Sequence, residues 1–258
     1  MKKLKKLFSK IKISKITIFI FLLSFVTGRF VPLFIYFLIA FIHELFHVIT
    51  AYFFKVNINK INILPFGMMA ELDFLDKIHP LKSILILLAG PCSYFLSLIL
   101  INISYNIKLL SYITYQNALE TNKIILFFNL LPIWPLDGGK LVYYILSYIF
   151  PLKKVYKLIS FISLIVTLIL VFLTLNDPQV VIIMFLVLSQ IRLLYEMNFN
   201  LNKLYIFRLS NEVKYKTKLH DKLDLYLPYY NYYQNETILL NEKELISKIF
   251  LYNKNIKK

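Results

Sequence analysis

Apolar residues in this chain gather into blocks: Ile16 to Val26, Pro32 to Phe54, Ile84 to Ile103, Leu158 to Leu175 and Val180 to Leu194, with short polar stretches between. Blocks approaching about 20 residues match the helix length that crosses a bilayer. A sixth, weaker block, Ile124 to Trp134, is interrupted by Pro132 and Pro135 before the apolar pattern resumes at Leu141. Helices broken at membrane depth line a cavity or a path. The pattern predicts an all-α polytopic membrane protein with six transmembrane helices.

Two stretches depart from the block pattern. The first half of Val56 to Asp73 alternates apolar and polar residues, which suits a strand or hairpin, and an ordinary interfacial loop fits equally well. As a sheet edge, Val56 to Ile63 would align an extended peptide through main-chain hydrogen bonds. Beyond Glu196 hydropathy falls and the tail is rich in Lys, Asn and Tyr. Within it, Thr237 to Leu240 reads as a strand, and Asn241-Glu242-Lys243-Glu244 before an apolar-periodic run to Tyr252 reads as a capped helix start. The chain divides into a basic N-terminus over 1–15, a membrane domain over 16–197 and a tail over 198–258.

Composition agrees with the pattern: 59% of the 258 residues are hydrophobic and 17% charged, against about a quarter charged in soluble domains. The net charge of +16 raises nucleic-acid binding as a reading. The lysines, however, concentrate in the first 15 residues, at Lys153, Lys154 and Lys157, and in the tail. With a cytoplasmic N-terminus, six spans put all three basic regions in the cytoplasm and the base-free turn Asn176-Asp177-Pro178 outside, which is the positive-inside pattern. The bases then serve as orientation signals and contacts to anionic lipid, and no nucleic acid is expected. No small-residue cleavage site follows Phe25 to Phe30, so the first block reads as an anchor. With Cys92 the one cysteine, a metal site must use His, Asp or Glu.

His43-Glu44-Leu45-Phe46-His47 supplies such a site. A spacing of four on a helix puts both imidazoles on one face, one turn apart. Neutral imidazoles suit Zn2+, and a neighbouring carboxylate can take a proton from water that the metal acidifies. Three ionisable side chains within five residues of a membrane helix are costly unless they meet a cavity, a partner or a metal. The structural alternative is a buried histidine pair bonded to Glu44. A hydrolytic zinc site needs a third ligand. His79 and His220 lie in polar segments, and Glu71, Asp73 and Asp76 lie after the second block. Asp137 follows Pro132 and Pro135 and precedes Gly138-Gly139, where the backbone is expected to turn sharply and present the carboxylate inward. A simple turn or a helix cap would use the same residues. In the chosen orientation the histidine pair lies past mid-membrane toward the cytoplasm, level with Asp137.

These residues carry a resemblance. His43-Glu-Leu-Phe-His47, Ala89-Gly90-Pro91 and Asn129-Leu-Leu-Pro-Ile-Trp-Pro-Leu-Asp137-Gly138-Gly139 resemble the site-2 protease family, peptidase M50. Leu64-Pro65-Phe66-Gly67 and the Pro-Ile-Trp-Pro-Leu-Asp-Gly-Gly-Lys string resemble its sporulation branch. The likeness covers residues 30 to 145 well. It implies a three-helix core within the six spans, zinc held by His43, His47 and Asp137, Glu44 as general base and acid, and Asn129 as a contact to substrate or oxyanion. It also implies cleavage of the sigma-K precursor near the cytoplasmic face of the mother-cell membrane around the forespore, restrained by membrane-bound inhibitory partners. Met68 and Met69 depart from the small residues expected after Gly67, and the tail has room for only a reduced version of the nucleotide-binding domain of cystathionine beta-synthase type, so no nucleotide-binding residue is carried over. The competing class is an intramembrane metal transporter, which would need a series of polar sites along a path.

Overall fold

The computed structural model describes residues 11–64, 67–72, 75–173, 201–211, 215–220, 225–235 and 238–255. They form two compact units, one of residues up to Leu75 with Leu85–Leu130, the other of Asp76–Ile84 with Leu131 onward. The expected span Val180 to Leu194 lies outside the described residues. Among those described, three helices are long and apolar enough to cross a membrane: Phe30–Phe53, Pro80–Asn106 and Leu152–Leu173.

The first unit opens with β1 (Ile11–Ile13) and α1 (Lys15–Val26). Ser14 caps α1 by accepting the Thr17 N–H at 3.1 Å, and Thr17 Oγ1 donates to the Ile63 carbonyl at 3.0 Å. The 12 residues of α1 rise only about 18 Å. That is short of the roughly 30 Å hydrocarbon core, so the first predicted span is a short helix in this fold. In α2 (Phe30–Phe53), Pro32 sits in the first turn, where a missing N–H costs nothing. Ile35, Ile39, His43, His47 and Ala51 are buried at steps of four, while Phe34, Leu38 and Phe41 are exposed. One stripe of α2 faces protein, and both histidines lie on it.

The alternating segment forms a hairpin, β2 (Ile58–Leu64) and β3 (Gly67–Leu72), and β1 adds to β2 in parallel, so the sheet order is β1-β2-β3. This corrects the expectation that Val56 to Ile63 offers an open edge. Both sides of β2 already hold strands.

Helices α3 (Pro80–Asn106) and α4 (Tyr112–Leu130) follow. Tyr115 Oη donates to Asn102 Oδ1 at 2.8 Å, the Tyr105 and Tyr115 rings stack at 4.3 Å, and Asn122 Nδ2 donates to the Tyr94 carbonyl at 3.1 Å. Helix α4 begins twelve residues before the block predicted from Ile124. Its polar first half survives as helix because Ala118, Asn122 and Ile125 turn inward at helical spacing, the apolar two joining a core with Ile35, Ile39, Ala40 and Ile101. Asn117, Glu120 and Lys123 face outward, and averaging over both faces hides such a helix.

In the second unit, α5 (Asp137–Leu146) and α6 (Leu152–Leu173) pack together. The turn expected at Gly138-Gly139 is absent: both residues lie inside the first turn of α5. The reason is packing, since a Cβ on Gly139 would lie 2.5 Å from the Ile133 carbonyl carbon and oxygen. Residues 201–210 are helical. The tail holds β4 (Thr217–His220), β5 (Tyr230–Asn235), β6 (Ile238–Leu240) and α7 (Glu242–Asn255), with sheet order β4-β5-β6. The expected capping box is present: Glu244 N donates to Asn241 Oδ1 and Asn241 N to Glu244 Oε2, both at 3.0 Å. Buried Arg208 pairs with Glu242 at 3.0 Å and donates to the Leu227 and Tyr229 carbonyls.

Candidate metal centre

His43 and His47 sit one helical turn apart on the buried stripe of α2, and their Nε2 atoms lie 3.2 Å from each other. His47 Nδ1 lies 2.7 Å from the Ile86 carbonyl oxygen. A carbonyl only accepts, so Nδ1 carries the proton and Nε2 keeps its lone pair, the tautomer a metal ligand needs. Two imidazole nitrogens at about 2.0–2.1 Å from one tetrahedral ion stand roughly 3.3 Å apart. The observed spacing and donor chemistry fit zinc.

Helix α3 shapes this pocket from the other side. Gly90 lies so close that a Cβ there would be 2.1 Å from His47 Nε2 and 2.7 Å from His43 Nε2. Pro91, inside the same helix, has no N–H for the carbonyl four residues back and loosens the ladder where Ile86 turns to His47. The tripeptide that carried part of the resemblance is therefore the wall of the histidine pocket. Spacing rules do not reveal that role, since a glycine inside an apolar helix reads only as a weak point. Beside His43, Pro91, Ser93, Tyr94 and Asn122 line a narrow crevice. Asn122 was also missed, and its signal is the buried periodicity of α4 with Ala118 and Ile125.

Glu44 is half-buried on α2, next to His43. Asp137 is the first residue of α5, buried, with the Lys140 ammonium 3.6 Å from its carboxylate. His43 and His47 belong to the first unit and Asp137 to the second.

The other candidates lie elsewhere. His79 packs edge-on against Tyr148 and Tyr215, His220 stacks on Tyr226, and Asp76 accepts a hydrogen bond from Tyr144. The side chains of Glu71 and Asp73 lie outside the description. Asn129, in the last turn of α4, donates an amide N–H to the Ile125 carbonyl at 2.9 Å. Cys92 is exposed.

Comparison with known proteins agrees with this arrangement. The model of peptidase family M50 matches residues 102–173, which include Asp137 and leave out the histidine pair. Stage IV sporulation protein FB of Bacillus subtilis is 35% identical over 137 residues, 53% of this chain and 47% of that protein. A zinc metalloprotease of Methanocaldococcus jannaschii is 34% identical over 109 residues, 41% of this chain and 31% of its own length. The chain thus spans about half the length of one curated relative and about a third of the other. Among solved structures, the site-2 protease from Methanocaldococcus jannaschii superposes with a TM-score of 0.53 at 27% identity, covering 71% of this chain and 90% of that one. Motif, fold and family likeness converge: the chain carries a segment that matches peptidase family M50, and its fold is similar to that of a site-2 protease.

Proposed function

We propose that this protein is an intramembrane zinc metalloendopeptidase in which His43, His47 and Asp137 hold the metal and Glu44 acts as general base and acid. The observation that carries the reading is the buried histidine pair of α2, whose Nε2 atoms lie 3.2 Å apart with the His47 ring oriented by the Ile86 carbonyl. Zinc bound there supplies a Lewis acid that acidifies water and polarises a peptide carbonyl. Glu44 takes the proton from the attacking water as its oxygen bonds to the carbonyl carbon, and delivers it to the amine as the C–N bond breaks. The Ile86 carbonyl holds the His47 tautomer, and the Lys140 ammonium pairs with the Asp137 carboxylate. A metal path would call for several polar sites in series along the spans.

The substrate must unwind to expose its carbonyls. The outer edge of β3, with its partner strand β2 on the other side, is the part of the sheet that suits main-chain pairing with an extended peptide. Asn129 is assigned a contact to that peptide or its oxyanion. Likeness to a stage IV sporulation protein favours a membrane-associated sigma-factor precursor as substrate, membrane-bound inhibitory partners, and residence in the mother-cell membrane around the forespore. The distribution of lysines favours six spans over 16–197, with the 1–15 segment and the 198–258 tail in the cytoplasm. The tail, with its helix, three strands and helix, is assigned as a reduced nucleotide-binding-type domain.

Purified Glu44→Gln protein is expected to retain zinc and to cleave a co-expressed sigma-factor precursor at least ~100-fold more slowly. Undiminished cleavage would overturn the role of Glu44. Undiminished zinc binding in His43→Ala and Asp137→Asn proteins would overturn the ligand set. If a generic membrane substrate were cut and the precursor were not, the sporulation assignment alone would fall.

A further inference from the structure

Asp76 is a charged residue buried to 4% exposure in the short 3-10 turn Leu75–Lys77 that precedes α3. Its Oδ1 accepts a hydrogen bond from the Tyr144 hydroxyl at 2.8 Å. Tyr143, Tyr156, Lys203, Arg208 and Tyr215 are the other titratable groups that face it. Burying a carboxylate is costly, and a nearby cation offsets only part of that cost. An apolar residue would pack this turn more cheaply, so the acid at this place calls for an explanation.

The explanation lies on α5. Tyr144 stands seven residues after Asp137 on the same helix. Seven residues are two turns, about 10.5 Å of rise with a drift of only about 20°. Asp137 and Tyr144 therefore project from the same face. Pinning the Tyr144 hydroxyl fixes the rotation of α5, and the rotation sets the direction of the Asp137 carboxylate. Alternative restraints at the start of α5 are weaker. Its N-cap, Leu136, makes no side-chain cap bond, and Lys140 reaches Asp137 through a flexible chain. Gly139 against Ile133 sets the distance of closest approach but leaves rotation open.

We propose that Asp76 is a positioning residue, a fixed strut that holds α5 in rotation through the Tyr144 hydroxyl and so aims Asp137. The strut has a second attachment. Arg208, whose charge faces Asp76, is itself locked to Glu242 and the Leu227 and Tyr229 carbonyls of the tail. The folded tail thereby anchors a cation that offsets part of the cost of burying the Asp76 carboxylate.

The proposal rests on the reading of Asp137 as a metal ligand, and the test separates the two. Zinc affinity of full-length protein in detergent is measured by competition with a chromogenic chelator, alongside the melting temperature of the zinc-free form. Tyr144→Phe removes one hydroxyl and keeps the ring. It is expected to weaken zinc binding by ~10-fold or more, as is Asp76→Ala, and the double variant is expected to be no worse than either alone. Asp76→Asn, which keeps an oxygen acceptor, is expected to restore affinity to within ~3-fold of the original. Asp137→Asn serves as reference. If Asp137→Asn weakens binding while Tyr144→Phe only lowers the melting temperature, the strut is merely structural and the proposal falls. If Asp137→Asn itself leaves affinity unchanged, the ligand reading falls and takes the proposal with it.

Discussion

The histidine half and the aspartate half of the candidate centre are built in opposite ways. His43 and His47 ride on 24 continuous helical residues, and their mutual geometry follows from a spacing of four. One backbone carbonyl and one glycine complete the pocket. Asp137 opens a ten-residue helix after a broken stretch, and its setting depends on distant groups. The Trp134 N–H donates to Ser163 Oγ at 2.8 Å, Gly139 packs on Ile133, and Tyr144 bonds to Asp76. A ligand pair on one helix is a local object. A single ligand on a short helix is only as well aimed as its long-range contacts.

The sharpest way to break the histidine half is Gly90→Ala. Its methyl group would lie 2.1 Å from the His47 Nε2 atom, while alanine itself favours helix. Zinc binding should fall by ~100-fold or more with α3 still helical, comparable to losing a ligand's orientation entirely. Chelator competition together with circular dichroism checks both parts.

Gly139→Ala tests the aspartate half by the same means with a milder expected result. The contact at 2.5 Å is to the Ile133 backbone, in a broken stretch that can yield. Overpacking of this kind costs about 1–3 kcal/mol. A lower melting temperature and weaker zinc binding should appear together, since α5 must shift. A fall in stability with zinc affinity intact would mean that the start of α5 tolerates displacement.

The charge on Asp76 gives a pH test of the aspartate half. Burial pushes its carboxyl up from 3.8 to about 6, against the lowering effects of Tyr144, Arg208, Tyr143 and Lys203. The folded state therefore binds this proton more tightly than the unfolded state. Its contribution to stability is fully present below pH 3.8, declines as pH rises toward about 6, and is constant above. The shift corresponds to about 3 kcal/mol across that window. Asp76→Asn should flatten that part of the profile, seen as the difference between the two proteins' melting temperatures from pH 4 to pH 7 on the scale of about one such shift.

The smallest effect belongs to the tail. Asn241→Ala removes one half of the capping box on α7 and should cost about 1 kcal/mol. Protease sensitivity should rise at the start of α7, while zinc affinity stays unchanged. A loss of zinc affinity in this variant would show that the tail acts on the centre more strongly than Arg208 alone explains.

The sequence by itself determined the features that depend on neighbours within a few residues. Those are the apolar helices, the histidine pair with Glu44 beside it, the hairpin that begins at Ile58, and the cap of α7. Each follows from helical or strand period, or from one side chain reaching its own backbone. Tertiary structure alone decided which strand has an open edge, why α4 starts at Tyr112, and why Gly90 and Gly139 must lack a side chain. It also decided that the loop acid Asp76 is bonded to the helix of Asp137. Those outcomes rest on contacts between residues tens of positions apart, where packing and burial choose among several arrangements that the local pattern permits equally.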